Sequence, residues 1–184
     1  MDAFLKVYFL ETGLGWAVIG GIAAVMLGGM GSAKGIRIAA VQGAGVLSEK
    51  PDLFGKLLVL MALPGTQGFY GLIVAIMISL QTGLIGGKVA VAPLVGLALM
   101  FIGLCAGVVL WLSAVNQGQT AAASINLTAK NPEESGRAII LPALVETYAV
   151  VALLAAILLI LWVTAPTITF SPPSLNITTG PAGV

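Results

Sequence analysis

The chain has 184 residues, of which 59% are hydrophobic and 8% charged, and its formal net charge is +1. A soluble domain carries about a quarter charged residues, so these side chains cannot clothe a water-facing surface, and the near-neutral balance gives no electrostatic basis for binding nucleic acid. Histidine is absent and Cys105 is the single cysteine, which excludes intrachain disulfides, zinc clusters and Cys–His nucleophiles; the composition is that of an integral membrane protein.

Met1-Asp2-Ala3-Phe4-Leu5-Lys6 carries an early acid, and the apolar segment after it outlasts a signal-peptide core. The N-terminus is therefore expected to belong to the mature chain. A membrane-crossing helix needs about 20 mainly apolar residues, and four segments qualify. The first runs from about Thr12 to Ala44. It is dense in glycine, with Gly13, Gly15, Gly20, Gly21, Gly28, Gly29, Gly31 and Gly35 on more than one face. Small residues at such spacing let helix backbones approach closely in lipid. They fit either ordinary pairing within one bundle or a narrow inner ring in which the first and third spans of many copies crowd round an axis.

The first loop reads Pro51-Asp52-Leu53-Phe54-Gly55-Lys56 and leads into the second span, from about Leu53 to Leu80. That span holds Leu63-Pro64-Gly65-Thr66-Gln67-Gly68-Phe69-Tyr70-Gly71. At 100° per residue, Leu63, Thr66, Gln67 and Tyr70 share about one third of the helix surface. Pro64 cannot donate a backbone hydrogen bond, so a carbonyl one turn earlier loses its partner. The third span, from about Val89 to Ala123, carries Gly96, Gly103 and Gly107 and then Asn116-Gln117-Gly118-Gln119.

The second loop, Pro132-Glu133-Glu134-Ser135-Gly136-Arg137, repeats the first in order: proline, acid, two variable residues, glycine, base. It opens the fourth span, from about Gly136 to Val163. Each loop precedes an apolar helix with an internal proline and a mid-membrane polar residue, Gln67 in one and Glu146 in the other. The expected architecture is an all-α membrane protein of four transmembrane helices, arranged as two tandem hairpins of the same orientation. The first hairpin covers residues 1–84 and the second 85–165. Residues 166–184, rich in Pro, Thr, Ser and Gly, form an outer C-terminal tail without a packed core.

Lys34, Arg37, Lys50, Lys56, Lys130 and Arg137 flank the two hairpin loops, whereas only Lys6 and Lys88 lie at the opposite end. Basic residues favour the cytoplasm, so the loops are expected inside and both termini outside. Trp16 and Trp162 then fall near the outer interface.

Glu146 is the one acidic side chain inside an apolar span. An ionisable group at that depth usually faces protein and handles an ion or proton. A proton needs only the carboxylate, whereas a desolvated Na+ needs several oxygens in place of its water, as hard cations do. Thr66, Gln67 and Gln117 supply such oxygens and Tyr70 can hold the carboxylate. Tyr148, two residues from Glu146, and Gln119, two from Gln117, point away from their partners' faces.

Leu63-Pro64-Gly65-Thr66-Gln67-Gly68-Phe69-Tyr70-Gly71, Gln117-Gly118 and Val145-Glu146-Thr147-Tyr148-Ala149 resemble the proteolipid, subunit K, of prokaryotic V-type ATPases. The resemblance covers roughly residues 28–159 and departs at Pro142, where relatives commonly lack proline. It implies a homo-oligomeric ring that rotates in the membrane lipid. It further implies Na+ held by the Leu63 backbone carbonyl, Thr66, Gln67, Gln117 and Glu146, with Tyr70 hydrogen-bonding the carboxylate. A stationary membrane subunit would supply a basic residue, an arginine in the family. A central-stalk subunit would engage the cytoplasmic loops. ATP would be hydrolysed on other subunits, since this sequence has no phosphate-binding Gly-x-x-x-x-Gly-Lys-Ser/Thr loop and no organic cofactor is implied. Two alternatives stay open on the residues: the same ring protein carrying H+, and a small secondary transporter with parallel hairpin repeats.

Overall fold

The computed structural model describes residues 5–87 and 91–165. The expectation for the tail, 166–184, lies outside these residues. After a wide π-helical turn at Lys6–Glu11, the chain forms α1 (Leu14–Glu49), α2 (Phe54–Ala62), α3 (Thr66–Gln81), α4 (Pro93–Lys130), α5 (Ser135–Ala138) and α6 (Ile140–Val163). Taken with the short turns between them, these make four helical spans: Leu14–Glu49, Pro51–Gln81, Pro93–Lys130 and Pro132–Val163. Each is long and apolar enough to cross a bilayer.

α1 and α4 are longer than their apolar runs. They continue to Glu49 and Lys130 rather than stopping at 44 and 123. Nothing in those stretches breaks a helix; the first proline after each, Pro51 and Pro132, sets the stop. Lys50 and Asn131, the residues before those prolines, adopt nearly the same backbone geometry: φ −134°, ψ 72° and φ −131°, ψ 82°. Each is followed by one turn of 3-10 helix, Pro51–Leu53 or Pro132–Glu134. The repeated loop sequence is therefore a repeated structure, displaced by 81 residues. Lys50 Nζ donates to the Ala129 carbonyl at 2.7 Å and Lys56 Nζ to that of Pro132 at 2.9 Å. These bonds tie the first loop to the second at a helix C-terminus, where cations are favoured.

α1 and α4 run parallel and in register through glycine contacts. A Cβ on Gly96, Gly103 or Gly118 would strike the carbonyl of Gly13, Gly20 or Gly35, a constant separation of 83 residues. Gly28 and Gly71 bring α1 equally close to α3. Most of the α1 glycine pattern is thus used within one chain: its several faces meet α4 and α3. Of the α1 glycines, Gly29 and Gly45 face open space.

Two apolar clusters hold the bundle. One contains Ala17, Ala24, Val74, Ile78, Leu99, Ala106, Leu153, Ala156 and Ile160. The other, nearer the loops, contains Ala39, Leu53, Leu57, Leu60, Ala121 and Ile125. On all four spans a polar residue falls between them: Ser32, Gln67, Gln117 and Glu146.

Candidate ion-binding site

The second span does not pass this polar layer as a continuous α-helix. A 3-10 turn at Leu63–Gly65 separates α2 from α3, with Pro64 at its start. The turn presents Thr66 and Gln67 at the first residues of α3. Gln67 is fully buried, and Thr66 Oγ1 donates to the Leu63 carbonyl at 3.2 Å. In the fourth span the helix is interrupted at Ile139, and Pro142 lies in the first turn of α6. Its ring fits there because first-turn N–H groups lack helical partners.

A hydrogen-bonded chain joins three spans at this level. Tyr70 Oη donates to Glu146 Oε1 at 2.6 Å. Gln117 Nε2 lies 3.2 Å from Glu146 Oε2 and 3.1 Å from the Pro142 carbonyl, donating to both. Gln117 is fully buried; with its nitrogen facing two acceptors, its Oε1 must point the other way, where it accepts from Gln67 Nε2 at 2.6 Å. That orientation turns Gln67 Oε1 outward from the pair, and this buried oxygen has no hydrogen-bond partner among the described residues. Buried polar atoms left unpaired are uncommon and call for an explanation.

Of the expected site residues, Tyr70, Gln117 and Glu146 are in direct contact, Gln67 joins them through Gln117, and Thr66 touches Leu63. Asn116 and Gln119 are exposed, and Tyr148 is 74% exposed. Two neighbours add to this set without a signal in the sequence. Ser32 Oγ of α1 accepts from the Gly68 N–H at 2.8 Å, and Ser113 Oγ of α4 donates to the Val145 carbonyl at 3.4 Å. They pin the backbones on either side of Gln67 and Glu146. Only their burial amid glycine and alanine marks them out, and a single serine in a membrane helix is too common to read alone. No cluster of three His, Cys, Asp or Glu side chains occurs among the described residues. One carboxylate amid neutral oxygens suits a weakly held monovalent ion better than a tightly chelated divalent or transition metal.

The duplication also refines the relation between the two hairpins. Glu146 lies 14 residues after Pro132, and the same count from Pro51 reaches Gly65, not Gln67. Gln67 is two positions on and meets the carboxylate's partner from a different angle.

The family of the ATP synthase C subunit matches the chain twice, over residues 19–78 and 100–159, again displaced by 81. The chain is 36% identical over 151 residues to the V-type sodium ATPase subunit K of Enterococcus hirae, covering 81% of this chain and 92% of that protein. It is 36% identical over 163 residues to the A-type ATP synthase subunit K of Methanocaldococcus jannaschii, covering 88% of this chain and 70% of that protein. With one match in each hairpin and similarity across both, this multi-pass membrane protein belongs to the ATP synthase C-subunit family as a doubled, four-helix member.

Proposed function

We propose that this chain is a rotor-ring subunit of a V-type ATPase or ATP synthase, carrying Na+ through the membrane on Glu146, coupled to ATP turnover on other subunits. The observation behind the sodium reading is Gln67 Oε1, a buried carbonyl oxygen without a partner beside the Gln117–Glu146 pair. A proton on Glu146 would leave that oxygen unpaired, at a cost of about 1–3 kcal/mol. A cation would pair it. The Leu63 carbonyl, Thr66, Gln67, Gln117 and Glu146 are the ligands assigned, with Gln117 turning its amide from the orientation in which it donates to Glu146, and with Tyr70 holding the carboxylate in place. The E. hirae relative, named for a sodium ATPase, supports the same choice.

The mechanism follows from solvation. A bare carboxylate facing lipid is strongly unfavourable, whereas a neutralised one is tolerated. Loaded subunits can therefore turn through the bilayer and emptied ones cannot. At a stationary membrane subunit a basic side chain would pair with Glu146 and release the ion. The hairpin loops, richer in Lys and Arg, would face the cytoplasm and meet a central-stalk subunit. One carboxylate per four helices means one ion per chain, so more ATP energy is available for each ion moved.

Carbodiimide labelling of Glu146 tests the ion. Millimolar Na+, but not K+ at equal ionic strength, should slow the labelling at neutral pH. Labelling indifferent to Na+ would assign protons to the same carboxylate.

A further inference from the structure

We propose that the loop-side half of the bundle holds ordered water between the hairpin loops and the Glu146 layer, bound by the Ser124 and Thr128 hydroxyls and by the backbone carbonyls of Leu60 and Ala138. Neither sodium transport nor ring assembly is assumed. Ser124 and Thr128 are fully buried in α4, and neither hydroxyl oxygen has a hydrogen-bond partner among the described residues. A serine or threonine inside a helix can satisfy its hydroxyl on the carbonyl one turn earlier. Ser79, Thr120 and Thr164 do so here, donating to the carbonyls of Ala75, Asn116 and Ile160 at 2.8, 3.0 and 2.8 Å. Ser124 and Thr128, in the same helix as Thr120, make no such bond.

Helix geometry sets what lies level with them. Ala121, Ser124, Ile125 and Thr128 share one face of α4, and Ala121 and Ile125 pack in the loop-side cluster with Leu57 and Leu60. Gln117 lies on this face too, seven residues before Ser124, so Ser124 sits about 10 Å nearer the loops than the amide layer. Spans two and four run opposite to α4. Seven residues back from Gln67, the partner of Gln117, is Leu60, and eight back from Glu146 is Ala138. Both are fully buried, and each stands four positions before a proline, Pro64 or Pro142. Proline has no N–H, so neither carbonyl receives the helical hydrogen bond from four residues on. The Leu63 N–H goes to the Val59 carbonyl instead. Two unpaired hydroxyls and two carbonyls deprived of their helical donors thus fall within about two turns of one another in the bundle interior.

Water fits this set of groups. A buried water makes about three hydrogen bonds to polar groups that otherwise lack partners; it donates to carbonyls and either donates to or accepts from a hydroxyl. Ser124 and Thr128 are four residues apart, about 6 Å along the axis, a gap that one water bridges with two ordinary hydrogen bonds. The half of the bundle beyond the Glu146 layer differs. Its cluster, with Ala17, Val74, Leu99 and Ile160, is wholly apolar, and the buried hydroxyl of Thr82 there donates to the Ser79 carbonyl at 3.3 Å. The carboxylate layer is therefore wetted from the loop side and sealed by apolar packing on the other.

The test is X-ray radiolytic labelling of the full-length protein in mild detergent, in whatever assembly it forms, with oxidised residues located by mass spectrometry of its peptides. Hydroxyl radicals generated from a bound water oxidise the side chains beside it, however deeply these are buried. Leu57, Leu60 and Ile125 should be oxidised roughly fivefold or more faster than Leu99 and Ile160, which are equally buried but in the apolar half. Ser124→Ala with Thr128→Val removes both hydroxyls at nearly constant volume and should lower that rate severalfold. Thr120→Val, which removes a hydroxyl bonded to its own helix, should leave it unchanged. Slow oxidation of Leu99 and Ile160 in each variant reports an intact fold, and the contrast between the two sets in the unaltered chain decides the matter without any variant. Equal rates for the two sets in the unaltered protein, or an undiminished rate at Leu60 and Ile125 in the double variant, would overturn the proposal.

Discussion

The Tyr70 hydroxyl donates to Glu146 Oε1 at 2.6 Å, across the boundary between the two hairpins. One half of the duplicated chain thereby restrains the carboxylate supplied by the other. Tyr70→Phe removes only the donor. A hydrogen bond to a charged group contributes about 1.5–3 kcal/mol, so the Na+ concentration that half-protects Glu146 from carbodiimide should rise about tenfold or more. The fold, followed by circular dichroism, should be unchanged.

Gln67 and Gln117 act as a coupled pair. Gln117→Leu strips donors from Glu146 and Pro142 and leaves Gln67 Nε2 buried without an acceptor. Gln67→Leu leaves Gln117 Oε1 unpaired. Each single change should weaken Na+ protection, and the double variant should lose less than the two losses combined, with a coupling of about 0.5–3 kcal/mol. Strict additivity in such a cycle would mean that the two amides do not cooperate.

The glycine contacts predict a sharp positional contrast. Gly103→Val places a branched side chain against the Gly20 carbonyl, where only backbone fits. Overpacking of this kind costs about 1–3 kcal/mol or more, and the detergent-solubilised protein should melt at a lower temperature. Gly136→Ala meets open space at the start of a helix, where alanine is favoured over glycine by up to about 1 kcal/mol. Its melting temperature should hold or rise.

The loop-to-loop bonds of Lys50 and Lys56 are exposed and should contribute little to global stability, in the range of about 0–1 kcal/mol each. Replacing both with Gln should instead speed amide hydrogen exchange in residues 50–56 and 130–137 while leaving the spans protected. Exchange unchanged in the loops would show that the backbone turns alone hold them.

The four spans were legible because long apolar runs bounded by prolines leave no other reading. The duplicated loop was legible as well, and its two copies share one backbone geometry. The choice of Tyr70 over Tyr148 followed from helical spacing alone. Other features depend on tertiary contacts that spacing does not encode. Glycines on several faces of α1 fit a ring as well as a bundle, yet Gly20, Gly28 and Gly35 meet α4 and α3 of their own chain. Matching Gln67 to Glu146 by depth overlooked the two-residue difference that the loop prolines reveal. Ser32 gave no signal because its role is to accept a backbone hydrogen from another helix. The unpaired oxygen of Gln67 could not be foreseen, since it depends on which way two amides turn.

The most direct measurement is equilibrium binding of radioactive sodium to the purified, detergent-solubilised protein, set beside Glu146→Gln. The account predicts saturation at one Na+ per chain, and no saturable binding once the carboxylate is replaced by its amide. Saturable binding that survives Glu146→Gln, or two ions per chain, would contradict it.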